Sequence, residues 1–354
     1  MSSVETLQAR PAPAAGARAY NVAIVGATGA VGVELMGCLE RRNFPVGQLK
    51  LLASPRSAGK TLPFRGREVA IEALTPESFR GVDFALFSAG ASISREFAPH
   101  AEAAGCVVVD NSSAFRMVEG VPLVVPEVNP QALAASAPLV ANPNCVAAIA
   151  VMALQPLHAH NPLTRVIGAT YQSASGAGAA AMAELEASTA AQLAGEAYEP
   201  KVLPHPYAFN LFSHNADVDP ASGYNGEELK AMEEIRKIMS APGLRLSFTC
   251  VRVPVLRAHS MALTVEFERP VTPAEAREWL SAAPGVRVVD DAARNHFPMP
   301  NEASGRDEVL VGRIRQDLGD PSGRTLSLFA VGDQLLKGAA LNAVQIAEAL
   351  VAAR

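Results

Sequence analysis

No stretch of this 354-residue sequence is apolar for long enough to cross a bilayer. No apolar secretion-signal core lies in the Ala- and Pro-rich first twenty residues either, so residues 1–19 are expected to form a loose tail. There is no CxxC pair: the four cysteines are Cys38, Cys106, Cys145 and Cys250. In a chain this long without an export signal, that pattern points to free thiols in a reducing cytoplasm. Positive charge is not in excess, since 30 Lys and Arg face 35 Asp and Glu for a net charge of -5. A broad nucleic-acid-binding surface is thereby excluded, and any positive site must be a local pocket. No internal repeat is present. What remains is a 49% hydrophobic, 18% charged sequence, long enough for two globular domains.

The first half alternates short apolar runs with helical patterns. Strands are expected over 21–25, 49–53, 84–87, 107–110 and 139–141, with helices over 31–42 and 94–104. That alternation predicts a parallel, doubly wound α/β sheet. After Cys145 the strand candidates lengthen and alternate: 165–172, 246–253, 261–267, 309–316 and 325–331. Helices are expected over 177–193, 226–239 and 272–282, giving an α+β unit with a mainly antiparallel sheet. Residues 333–353 read as one long helix, and 198–224, dense in Pro, His, Asn and Asp, as an irregular insertion. The expected division is 20–144 with 333–354 for a Rossmann-type domain and 145–332 for the second domain.

The run Gly26-Ala27-Thr28-Gly29-Ala30-Val31-Gly32 follows a strand and opens a helix. Its first glycine permits the turn, its second lets backbone approach a pyrophosphate, and its third lets helix and strand pack closely. A glycine triplet alone could be an ordinary strand-to-helix turn; the second strand some twenty residues on favours dinucleotide binding. An NAD site usually ends that second strand with Asp or Glu. Here Ala53-Ser54-Pro55-Arg56-Ser57 carries no carboxylate, and Arg56 with the Ser54 and Ser57 hydroxyls suits a 2′-phosphate. NADP is expected over NAD.

Asn142-Pro143-Asn144-Cys145 ends a strand, and an apolar helical run over 146–157 follows. Cys145 therefore falls at a helix N-terminus, where dipole and free amides are expected to lower a thiol pKa. Cys38, Cys106 and Cys250 lie in or beside helix and strand runs and read as small buried hydrophobes. Local sequence leaves Cys145 open between nucleophile and structural cysteine. A thiol needs a proton acceptor, and His259, where a strand-like run breaks and resumes, is the candidate. The other six histidines, His214 among them, lie in looser or more polar stretches.

Taken together these segments resemble the aspartate-semialdehyde dehydrogenase family, from about residue 20 to the C-terminus. The resemblance rests on ordered motifs. Among them are the glycine turn, Asp110-Asn111-Ser112-Ser113-Ala114-Phe115-Arg116, Val125-Pro126-Glu127-Val128-Asn129 and Asn142–Cys145. Gln172-Ser173-Ala174-Ser175-Gly176, Glu227-Glu228-Leu229-Lys230, 252–260, 303–315 and 337–345 continue it.

By position, the resemblance implies Cys145 as nucleophile, His259 as acid/base and Gln172 as the amide orienting the acyl group. It implies Arg252 for the substrate α-carboxylate, Glu227 for its α-ammonium, and Arg116, Lys230 and Asn111 for phosphate. Gly26, Thr28, Gly29, Ala30 and Val31 would hold the NADP pyrophosphate, and Ser54, Arg56 and Ser57 its 2′-phosphate. Ser175, Gly176 and Asn342 would meet the nicotinamide half. No metal is implied.

The implied reaction is NADPH-dependent conversion of 4-phospho-L-aspartate to L-aspartate 4-semialdehyde through a Cys145 thioester. In the family it feeds lysine, diaminopimelate, threonine and methionine synthesis, in a cytoplasmic homodimer or homotetramer. Two departures stand out. Val146-Ala147-Ala148 follows Cys145 where many relatives have a hydroxyl residue, and Met261 stands where relatives often carry Glu. Rival readings are an N-acetyl-glutamyl-phosphate reductase, disfavoured by Glu227, and a non-catalytic NADP-binding paralogue, disfavoured by the presence of both Cys145 and His259.

Overall fold

The computed structural model describes residues 18–353, so the tail expected over 1–19 lies, but for its last two residues, outside the described residues. The first sheet is built from β1 (Tyr20–Val25), β2 (Val46–Ala53), β3 (Thr61–Phe64), β4 (Arg67–Ala73), β5 (Phe84–Phe87), β6 (Val107–Asp110) and β7 (Leu139–Ala141). Their order is β3-β4-β2-β1-β5-β6-β7, and every pair is parallel except β3 with β4. Strands β1, β5 and β6 are almost wholly buried, as expected for parallel strands covered on both faces. Helix α1 (Ala30–Arg41) packs on one face and α2 (Ala91–Ala103) on the other. The strand order reverses between β1 and β5, the crevice where such sheets bind ligands. The β3–β4 hairpin was not foreseen, because the polar, half-exposed residues 61–73 carry little periodic signal.

Helix α3 (Cys145–His160) crosses to the second half, with every residue from Val146 to Leu154 buried. Being apolar all round, it can sit only in an interior. Its partners are α5 (Gly226–Ile238), α6 (Pro273–Ala282) and one face of the second sheet; α4 (Ala179–Leu193) lies apart, in a smaller cluster with Leu203 and Tyr207. That sheet comprises β8 (Leu163–Gln172), β9 (Phe212–Ser213), β10 (Arg245–Arg252), β11 (His259–Phe267), β12 (Val286–Val288), β13 (Val309–Gln316) and β14 (Thr325–Gly332). The order is β12-β13-β14-β11-β8-β10-β9, with β8–β10 and β12–β13 parallel and the other pairs antiparallel. Strand β8 alternates, so Val166 faces α3 while Ile167 and Tyr171 point away, 44% and 38% exposed.

After a four-residue helix, α7 (Pro300–Ala303), and β14, the chain returns to the first sheet. The expected single helix over 333–353 is divided: a π-helical turn, Leu336–Ala340, precedes α8 (Leu341–Ala352). Helix α8 packs with α1 in the first sheet's core. Among the described residues no helix is long and apolar enough to cross a membrane.

Candidate active site

Gly26 ends β1 with φ +87°, and a Cβ there would lie 2.9 Å from the Ser88 carbonyl carbon at the end of β5. A Cβ on Gly32 would lie 2.4 Å from the Gly26 carbonyl oxygen. Only glycine allows these approaches. Helix α1 opens at Gly29 without a side-chain cap, so its first amides are open to an anion. Thr28 and Gly29 are exposed, and Ala30 and Val31 half-buried. Beyond β2, Ser54 and Arg56 are exposed on a single turn and Ser57 is half-buried, with no carboxylate among them. The turn and the open helix end together fit a dinucleotide.

A cavity of about 240 Å³ joins this turn to the second half; Val31, Asn111, Arg116, Cys145, Ser175 and Gly176 line it. Cys145 is the first residue of α3. Asn144 caps the helix, its Oδ1 accepting from the Val146 and Ala147 amides at 2.8 and 3.3 Å. A Cβ on Gly338 would lie 2.9 Å from the Cys145 Cβ, so the π-helical turn packs directly on the nucleophile candidate. The helix end lowers the thiol pKa through the Val146 amide, but only as the smallest of five effects. Burial and then the Glu227 carboxylate push it up to about 12, outweighing Arg116, Arg252 and the Val146 amide. The expected low thiol pKa is corrected accordingly: burial and the Glu227 charge outweigh the helix-end amide and the two guanidinium groups. The remaining three thiols are buried and also raised.

Around Cys145 the polar side chains brace one another. Glu227 Oε1 accepts from Asn144 Nδ2 at 3.1 Å and Gln172 Nε2 at 3.2 Å. Gln172 and Arg252 end the parallel strands β8 and β10 in register. Arg252 is 4% exposed; it donates to the Ser173 carbonyl at 3.3 Å and Asn215 Oδ1 at 3.3 Å, and meets His214 Nε2 at 2.9 Å. His259 begins β11, fully buried, with Nδ1 accepting from the Ser173 amide at 3.1 Å. Burial first, then the Arg252 and His214 charges, hold its imidazole well below the ordinary value. A Cβ on Gly176 would lie 2.8 Å from His259 Cε1 and 3.0 Å from Arg252 Nη1. Glycine there lets both side chains reach one spot.

The remaining candidates fall in two groups. Lys230 is exposed on α5, near enough for its charge to act on His214. Arg116 is 8% exposed: Nε donates to the Asn142 carbonyl at 2.9 Å, Nη1 to Glu234 at 3.1 Å and Nη2 to the Asn111 carbonyl at 2.7 Å. Two of its five N–H bonds stay available toward the cavity. Asn111 donates to the Phe87 carbonyl at 2.8 Å and accepts from Asn142 Nδ2 at 2.6 Å. Asn342 does not reach the cavity. It is fully buried, donating to the Val124 carbonyl and Asn142 Oδ1 and accepting from Lys337, so the structure gives it a bracing place behind Asn142.

Sequence reasoning missed Glu234, Ser173, His214 and Gln334. Glu234, 1% exposed, also accepts from the Asn144 amide at 2.5 Å, tying α5 to the residue before Cys145; burial raises its pKa against Arg116. Gln334 Oε1 accepts from the Ala258 amide at 3.0 Å, and its Nε2 donates to Ser175 Oγ.

A dinucleotide-type turn opening onto a helix-end cysteine, with a buried histidine and guanidinium beside it, defines a cysteine-dependent oxidoreductase of the semialdehyde dehydrogenase class. Residues 21–136 match the family model described as "Semialdehyde dehydrogenase, NAD binding domain", and residues 154–337 "Semialdehyde dehydrogenase, dimerisation domain". An aspartate-semialdehyde dehydrogenase of Synechocystis sp. is 54% identical, over 93% of this chain and 97% of its own. One from Prochlorococcus marinus is 48% identical, over 94% and 96%. The crystal structure of aspartate semialdehyde dehydrogenase II from Vibrio cholerae complexed with ASA superposes with a TM-score of 0.91 at 41% identity, covering 95% of this chain and 99% of that one. The chain belongs to the aspartate-semialdehyde dehydrogenase family.

Proposed function

We propose that this chain converts 4-phospho-L-aspartate to L-aspartate 4-semialdehyde, reversibly, with NADPH in preference to NADH. One observation carries the reading: Cys145 shares a single cavity with Val31 of the glycine turn, and Glu227, which holds Gln172, and Arg252 lie close enough to act on its thiol. Cys145 is the nucleophile that forms the thioester, and His259 is the proton-handling group beside it. The planar Arg252 guanidinium suits the α-carboxylate fork, and Glu227 the α-ammonium. Gln172, held by Glu227, orients the acyl group. The two free N–H bonds of Arg116, with Asn111 and Lys230, suit the phosphoryl group. The glycine turn would hold the dinucleotide by its pyrophosphate, and the bound cofactor would supply hydride for the acyl carbon. Ser54, Arg56 and Ser57 face its 2′-phosphate, and Ser175 and Gly176 its nicotinamide end.

Residues 20–144 with 333–354 form the cofactor domain, and 145–332 the catalytic and dimerisation domain, of a cytoplasmic homodimer or homotetramer. The open face of β8 bearing Ile167 and Tyr171 supplies the apolar surface for a second copy.

Steady-state kinetics on two variants test the pocket. Arg252→Lys keeps the charge and loses the fork; because a misplacement of about 1 Å can cost on the order of 100-fold, kcat should fall as KM rises. Glu227→Gln should weaken the semialdehyde and spare the phosphate KM. If Arg252→Lys instead acts mainly on the phosphate KM, the two ends of the pocket are reversed.

A further inference from the structure

The His259 ring has one nitrogen whose role the backbone dictates. The Ser173 amide reaches Nδ1 at 3.1 Å, and a peptide N–H can only donate. Nδ1 must therefore present its lone pair. Ser173 Oγ, 3.0 Å from the same nitrogen, fits either role. In a neutral ring the proton then sits on Nε2. That atom is buried and has no hydrogen-bond partner, and it lies against Gly176, which lines the cavity beside Cys145. A buried N–H without a partner is costly, so a donor kept in this state is poised for an acceptor that arrives with the substrate.

Burial first, then the Arg252 guanidinium on β10, keeps the ring neutral; His214, from the 198–224 segment, would add to this only if it were charged. His214 is itself held down to about 4, by burial above all. Around Cys145, Glu227 and burial oppose a thiolate more than Arg116 and Arg252 favour it. A resting thiolate–imidazolium pair thus finds no support on either side.

We infer that His259 acts during acylation as an Nε2–H donor to the substrate carbonyl oxygen, with its tautomer set by the Ser173 amide, and that the Cys145 proton leaves on the phosphoryl group. The step balances. Sulfur bonds to the acyl carbon, the carbon–oxygen bond to phosphorus breaks, and the thiol proton passes to the departing phosphoryl oxygen. An acyl phosphate dianion thereby gives a thioester and hydrogen phosphate, with no change in the charge of the enzyme. Ser173 is a positioning residue in this scheme, acting through its backbone. The scheme rests on the acyl-phosphate reading above; its first test does not.

That test is ¹⁵N NMR of histidine-labelled full-length enzyme, with His259 assigned by its loss in His259→Gln. The expected result is the neutral Nε2–H tautomer throughout pH 6–9, unchanged in Ser173→Ala, which keeps the amide. An Nδ1–H tautomer or an imidazolium in that range overturns the inference whatever the substrate proves to be. Alkylation of Cys145 by iodoacetamide, followed by peptide mass spectrometry, should rise about tenfold per pH unit over the same range, as the thiolate fraction does below its pKa. A pH-independent rate would reveal an ion pair and overturn it. Single-turnover phosphate release from the acyl phosphate completes the set. His259→Gln, which retains an amide N–H, should lose less than the roughly 100-fold that removing a general base costs, and His259→Ala should lose more. Equal, larger losses in both would assign His259 as the base.

Discussion

At the scale of single residues, the proposed NADP preference rests on Arg56. It is exposed at the end of β2 where no carboxylate competes for the ribose. Arg56→Ala should raise the NADP KM by roughly 10- to 100-fold, the range for losing one or two charge-assisted hydrogen bonds, and leave NAD nearly unaffected. Equal losses with both cofactors would remove the assignment. Two histidines, His259 fully buried and His214 half-buried, set an acid limit on stability. His214 is lowered to about 4 and His259 well below 6.5, so between those values and 6.5 the unfolded chain binds more protons than the fold. Their contribution is complete above about pH 6.5 and is lost as pH falls toward 4, with a ceiling of about 1.4 kcal/mol per pH unit for each ring. Thermal denaturation should show Tm falling through this window, less steeply in His214→Asn; an equal slope in both proteins would contradict the account. Cys145 and His259 stood out as candidates in the sequence because each sits at a break between elements, but local sequence left their roles open and the family resemblance assigned them. His214, Ser173 and Glu234 were not, because their partners Arg252, His259 and Arg116 are brought near only by the fold.

Elements show where periodic reading succeeds and where it ends. Strands β5, β6, β7 and β13 match their expected bounds residue for residue, since buried apolar runs between turn residues leave little freedom. The terminal helix was misread because a π turn leaves no distinct pattern of apolar positions. It is defined instead by tertiary contacts: Lys337 is tied to Glu127, Asn342 and Gln345, and Gly338 packs against Cys145. Between β8 and β10 the sheet depends on one glycine. A Cβ on Gly168 would lie 2.4 Å from the Phe248 ring, so Gly168→Ala should destabilise the second domain by about 1–3 kcal/mol. Urea denaturation would register that as a lower midpoint, and an unchanged midpoint would mean the ring relocates freely.

For the whole molecule, the face of the second sheet opposite α3 is the part that a lone chain leaves unfinished. Ile167 and Tyr171 stand exposed there, and Phe329 lies 6.1 Å from the Tyr171 ring. Tyr171 also precedes Gln172, so a partner covering this face would brace the strand that enters the active site. The double variant Ile167→Asp, Tyr171→Asp should sediment as a monomer with reduced kcat, while the unaltered protein sediments as a dimer or larger. A variant that stays assembled would place the interface elsewhere. The two-domain plan was legible from strand–helix alternation, whereas the shared cavity came only from the return of the chain after β14 and from α3 crossing between the halves.

Cys145, Arg252 and Glu227 are proposed to select an acyl phosphate bearing a free α-amino acid end. Phosphate-dependent reduction of NADP, measured for aspartate semialdehyde and N-acetyl-glutamate semialdehyde in parallel, tests it most directly. The expected result is that kcat/KM strongly favours aspartate semialdehyde, that activity requires phosphate, and that Cys145→Ser abolishes it. Preference for the N-acetylated substrate, or turnover surviving in Cys145→Ser, would contradict it.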